Sequence, residues 1–250
     1  MRSLMTEIKK TKGRFVWVML PAALLFEFAW IFWALGKMDA QDLAQGYYML
    51  LLDLPLVNTI IVPLILAVVA SRLCDTENKG NTYKLLCTLE EKGTLFRDKF
   101  LLGSLYVLGF VLLQLALIAF FGFYYSMTQE IPWREIGYFF VSTLVVSLVI
   151  LLLQIILSLM MDNQLYPLFI GLIGTFIGLF SWFFPNLPLR YLVPWGYYCV
   201  GCTINYNYYE ETRIMECYTI PFSFAGFAVL ILFGILLYAY GRFLFVKKEV

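Results

Sequence analysis

Histidine is absent from all 250 residues, and charged residues make up only 14% of the chain. The first absence removes the commonest general base and the commonest protein metal ligand, which argues against His-dependent hydrolases and intramembrane metalloproteases. The second puts the chain outside the range of globular proteins, where about a quarter of residues are charged. No GxxxxGK[ST] phosphate loop occurs and no glycine-rich turn follows a strand pattern, so a nucleotide driving this protein would have to bind another chain. Basic residues are scattered along apolar boundaries and do not form one basic face, which leaves nucleic-acid binding without support. Cysteine is sparse, and Cys199-x-x-Cys202 has neither a second CxxC nor a histidine to complete a metal site. No small-residue cleavage site follows the basic stretch Met1 to Arg14, so the first apolar run is expected to stay in the mature chain.

What the chain does contain is apolar sequence, 62% of the total, in six runs. They predict spans at about 15–36, 50–70, 100–123, 136–161, 165–184 and 221–246, each near the ~20 residues that cross the hydrocarbon. Leu4, Ile8 and Phe15 lie at helical spacing among Lys9, Lys10, Lys12 and Arg14, which predicts a basic interfacial helix over 1–14. The expected fold is an all-α integral membrane protein, one transmembrane domain over 1–250.

Of the eighteen Lys and Arg residues, five lie in the N-terminal arm, six between Ser71 and Lys99, and three at the C-terminal end. Lys37, Arg134, Arg190 and Arg213 fall in the alternate loops. The bias places both termini and the 71–99 segment in the cytoplasm. Within that segment Asn81 fits an N-cap, and Leu85, Leu86 and Leu89 make an apolar stripe. Gly93 fits a left-handed helix end and Thr94 a cap for the next helix. Asn81 to Lys92 therefore reads as a short amphipathic helix. Lying on the bilayer surface is the commoner arrangement for such a helix; docking on a soluble, energy-supplying partner is the other reading.

The last outer loop, 185–220, holds Trp195 and seven tyrosines, among them Tyr197 and Tyr198. An aromatic belt at the headgroups accounts for them; the functional reading adds a cap over an outward cavity or contact with an amphiphile. The outer side carries eight acids, including Glu210 and Glu211, against four bases. This surplus would concentrate cationic ligands, although the positive-inside rule also produces it. Glu27 sits in mid-span, where a carboxylate faces protein or water; Gln114, at comparable depth, is its expected hydrogen-bond partner, while Gln154 lies nearer the cytoplasm. Gly171, Gly174, Gly178 and Ser181 form a small-residue face for close packing within the chain. Cys199, Cys202 and Cys217 offer a loop staple in an oxidising compartment, or no bond at all.

The basic N-terminal helix, the six spans, the 71–99 loop with Glu77, Gly80, Lys84, Leu85 and Leu86, and LVPWGYY at Leu192 to Tyr198 together resemble the ABC-2 type permeases. Among these the chain is most similar to the permease subunits of lantibiotic-immunity ABC transporters. Thr88 to Glu91 stand where such loops usually carry a proline, which bears on subfamily and substrate.

The resemblance implies a coupling helix, with Asn81, Lys84, Leu85, Leu86, Leu89, Glu90 and Glu91 facing a separate ATPase. It also implies two ATPase subunits, which hold the ATP and Mg, and a second, different permease chain; this chain itself has no cofactor. The machine would remove a cationic antimicrobial peptide from the bacterial cell membrane. Glu27, Gln114, Trp195, Tyr197, Tyr198, Glu210 and Glu211 are the candidate substrate residues. Other readings are export of a bacitracin-like peptide, lipid or drug, a lipid-active enzyme using Glu27 or the Glu210–Glu211 pair, and a peptide sensor.

Overall fold

The computed structural model describes residues 16–39, 43–79, 91–184, 188–209 and 214–248. Among them six helices are long and apolar enough to cross a bilayer. Five come first: α1 (Val16–Leu35), α2 (Gly46–Lys79), α3 (Lys92–Tyr124), α4 (Trp133–Met160) and α5 (Leu165–Phe183). The last outer loop then folds into α6 (Leu189–Leu192), a 3-10 turn (Pro194–Gly196), α7 (Tyr197–Gly201) and the strands β1 (Ile204–Tyr209) and β2 (Ile214–Thr219), before α8 (Phe224–Lys247) closes the bundle. The all-α membrane fold is therefore the one observed, with one antiparallel hairpin added, in register Ile204 to Thr219 and Tyr209 to Ile214. The 1–14 helix lies outside the described residues.

Helices α2 and α3, with 34 and 33 residues, rise about 50 Å and overshoot a hydrocarbon core of about 30 Å. The overshoot corrects the expected loop, since residues 71–79 continue α2 and residues 92–99 begin α3. Gly93 is not a left-handed terminator: no described glycine has positive φ, and Glu91, in extended conformation, is the N-cap of α3. The exposed Arg242 guanidinium lies over Gly93, 2.9 Å from where a Cβ would stand. Thr94 is inside the helix, not its cap.

The ends of the bundle differ. One end, here the basic end, carries Lys79, Lys92 and Lys248; the other carries the hairpin. At the basic end Lys248 Nζ donates to Leu159 O (2.9 Å), satisfying a carbonyl left open where α4 ends, a position that favours a cation. Its own carbonyl accepts from Lys92 Nζ at 2.6 Å. Lys99, fully buried, donates to Leu73 O at 2.7 Å and ties α3 to α2. At the hairpin end α3 closes in a Schellman motif: Met127 N bonds Gly122 O, Ser126 N bonds Phe123 O, and Ser126 takes the left-handed position with φ of 48°.

Helices α2 and α4 form the centre. Their apolar windows are 67% and 61% buried, whereas those of α1 and α8 are only 28% and 22% buried and leave most of their surface outside the bundle. The small-residue face of α5 is used within the chain. Gly171 meets Ala67 and Gln154, Gly174 meets the Trp195 ring, and Gly178 meets Thr59 and Trp195.

Candidate functional site

Three helices each contribute one buried polar side chain to a cluster at mid-span: Glu27 from α1, Asn58 from α2 and Gln114 from α3, all with 0% exposure. Gln114 is the hub. Its Nε2 donates to Glu27 Oε2 at 2.9 Å and to Asn58 Oδ1 at 2.6 Å, and its Oε1 lies 3.5 Å from Asn58 Nδ2. Among side chains this fully buried, such directional bonds fix the rotation of the three helices about their axes. Glu27 Oε1 has no hydrogen-bond partner among the described residues. Sequence reasoning missed Asn58, although the polar pair Asn58-Thr59 between Pro55 and Pro63 in an apolar span was a visible signal.

The prolines shape the next layer. Pro55 has no N–H to give Leu51 O, and the Cys202 thiol stands 3.7 Å from that carbonyl. Thr59 Oγ1 donates to Pro55 O at 2.8 Å and accepts from Trp182 Nε1 of α5 at 3.0 Å.

The segment Pro194–Gly201 turns inward against α4 and α5. Trp195 lies on Gly174, at the middle of α5, and the Tyr198 hydroxyl shares a 2.9 Å hydrogen bond with Ser147 Oγ of α4. Trp195, Tyr197 and Tyr198 are 6%, 4% and 2% exposed, so these three do not belong to the aromatic belt. They fill the protein as a plug. The reason is the glycine face of α5, which leaves a slot wide enough for an indole. Fully buried, the Tyr198 hydroxyl and Ser147 Oγ satisfy each other. The remaining described tyrosines of the loop, Tyr191, Tyr206, Tyr208, Tyr209 and Tyr218, are exposed at the hairpin end.

Of the two states open to Cys199, Cys202 and Cys217, a loop staple or no bond, the structure shows no disulfide among them. Cys199 Sγ is directed at Ser181 O, Cys202 Sγ at Ile204 O (3.3 Å) and Cys217 Sγ at Met49 Sδ. Burial pushes the Cys202 thiol up to about 12. Among the described residues no three Cys, Asp or Glu side chains gather as a metal site.

Of the coupling candidates, Glu91 is exposed, with Oε1 4.0 Å from the Arg242 guanidinium. Asn81, Lys84, Leu85, Leu86, Leu89 and Glu90 lie outside the described residues, as do Glu210 and Glu211. Glu27 and Gln114 are brought together, Trp195, Tyr197 and Tyr198 form a separate plug, and Gln154 packs under Gly171 with both amide atoms unpartnered among the described residues.

No curated protein matches the chain. Residues 3–178, well over half its length, match the family described as ABC-2 family transporter protein. The chain belongs to that family and is the membrane-embedded permease subunit of an ABC transporter.

Proposed function

We propose that this permease exports a cationic antimicrobial peptide of the lantibiotic type from the bacterial cell membrane, giving immunity or resistance. The observation that carries the reading is the hairpin end. There Tyr206, Tyr208, Tyr209 and Tyr218 are 41–53% exposed, at the end that also carries the acids Asp39, Glu130 and Glu216 with the bases Lys37 and Arg134, an amphipathic surface whose acids suit a cationic amphiphile. Both termini and the 80–91 segment lie in the cytoplasm. That segment docks on an ATPase of which two copies bind ATP and Mg, and a second permease chain of different sequence completes the channel. Movement of the docked segment passes directly into α2 and α3, which are continuous with it on either side. Their Asn58–Gln114 contact, reaching Glu27 of α1, is the point where it would be felt in mid-membrane.

The test is growth of a sensitive bacterium expressing this chain with its ATPase and partner permease, challenged with a lantibiotic-type peptide and with bacitracin. Protection against the first alone is expected; protection against bacitracin alone would reassign the substrate. Glu91→Lys should lower the ATPase recovered with a C-terminally tagged permease while leaving membrane insertion unchanged. Undiminished recovery would remove that face from docking.

A further inference from the structure

A furrow on the outside of the bundle shares no lining residue with the Glu27–Asn58–Gln114 cluster or the Trp195 plug. Helices α3, α4 and α8 enclose about 460 Å³ of apolar space, lined by Phe100, Leu148, Leu152, Ile231, Ile235 and Tyr238. Gly234 forms its floor, where a Cβ would stand 3.0 Å from Val149. The wall is open to the bilayer, since Ile231 and Ile235 are exposed. Tyr238 is braced between Phe96 and Phe100, with ring centroids 5.4 and 5.7 Å away, so the furrow is a shaped surface and not a gap between mobile side chains.

Positions 231, 235 and 238 recur at intervals of four and three, and the next residue on that face of α8 is Arg242. From Ile231 to Arg242 the helix rises about 16 Å, close to the ~15 Å depth of one hydrocarbon leaflet. The guanidinium is exposed and rests over Gly93. Its described acidic neighbour is Glu91, also exposed, at the 4.0 Å limit of an ion pair, and such a pair holds weakly. Lys92, Lys247 and Lys248 stand at the same end of the bundle, with the exposed Asp162 3.9 Å from Lys248 Nζ. A furrow between α1 and α2 repeats the arrangement: Ile61, Ile65 and Val68 line about 430 Å³, and Arg72 follows at the same interval.

We propose that the α3–α4–α8 furrow is a binding site for an anionic phospholipid of the leaflet at the basic end. One acyl chain lies along Ile231, Ile235 and Tyr238, and the phosphate meets Arg242. A guanidinium pairs two N–H groups with phosphate oxygens, and the extra negative charge of an anionic headgroup separates this ligand from a zwitterionic one. The site needs neither the ATPase nor transport, so it stands or falls apart from the exporter reading.

The experiment uses the full chain in nanodiscs of equal phosphatidylglycerol and phosphatidylcholine, with photoreactive benzoylphenylalanine at position 235 in the furrow or at position 229 on the opposite face of α8. Irradiation and mass spectrometry count lipid adducts. Phosphatidylglycerol adducts should exceed phosphatidylcholine adducts about fivefold at 235 and stay near parity at 229. Arg242→Gln should bring position 235 to parity, and Arg242→Lys should keep most of the enrichment while controlling for folding. Gly234→Phe, which fills the floor, should lower adducts of both lipids at 235. Parity at 235 in the unsubstituted chain, or enrichment that survives Arg242→Gln, would overturn the assignment.

Discussion

Replacing Gln114 by Leu keeps the side chain's approximate size and removes the hub of the mid-membrane cluster. Two short bonds are lost, at 2.9 Å to Glu27 and 2.6 Å to Asn58, while the 3.5 Å contact adds little. Interhelical hydrogen bonds in membranes average about 0.6 kcal/mol and reach about 1.7. Leaving two fully buried polar partners without a bond raises the cost, and about 2–3 kcal/mol is expected for Gln114→Leu. Glu27→Gln retains an oxygen acceptor for Gln114 and should cost less than about 1 kcal/mol.

The decisive quantity is the coupling between positions. In a double-mutant cycle, Glu27→Leu and Gln114→Leu should show an interaction energy of about 1 kcal/mol, because each single change already breaks the shared bond. The same cycle between Glu27 and Gln154, which share no hydrogen bond, should be additive within about 0.5 kcal/mol. Reversible SDS unfolding in mixed micelles measures each corner. Additive effects at 27 and 114 would refute the clasp, and would mean that the two side chains tolerate separation within the bundle.

Glycine substitutions should divide by surroundings. Gly174→Ala drives a methyl into the Trp195 ring and should cost about 1–3 kcal/mol, whereas Gly109→Ala, with nothing within 4 Å, should be neutral or stabilising by up to about 1 kcal/mol; melting by fluorescence-detected gel filtration compares them. Ser126→Gly should raise stability by about 0.5–1 kcal/mol in the same assay, because φ of 48° in the Schellman turn suits glycine and strains serine. Cys202 should react with maleimide at pH 8 at least about a hundredfold more slowly in the folded protein than after unfolding, since burial holds the thiol near 12. The folded state favours the protonated thiol, so this contribution to stability is complete below the unfolded value of about 8.5 and is lost as pH rises from there toward 12. Rapid labelling of folded protein would show that the Cys202 pocket opens.

The six spans were legible because lipid demands continuous apolar length, a local property that needs no knowledge of the fold. The pairing of Glu27 with Gln114 was legible for a related reason: polar side chains at equal depth in hydrocarbon must find each other. Asn58 was not paired with them, since a third partner depends on how α2 is rotated, and rotation is set by packing. The same limit explains Gly93. Its spacing after an apolar stripe matched a helix end, yet Gly93 falls in the first turn of α3, beneath the guanidinium of Arg242, 149 positions later.

Trp195, Tyr197 and Tyr198 show the limit most clearly. Composition assigns tyrosine and tryptophan to the headgroup level, and the exposed tyrosines of the hairpin keep to that rule. These three are drawn inward because the glycine face of α5 opens a slot against α4, and the hydroxyl of Tyr198 finds Ser147 within it. Apolar length along the chain was enough to establish a six-span membrane architecture. Which polar groups meet, and which loop turns inward, depended on helix faces meeting across the bundle, where contacts between distant residues outweigh local pattern.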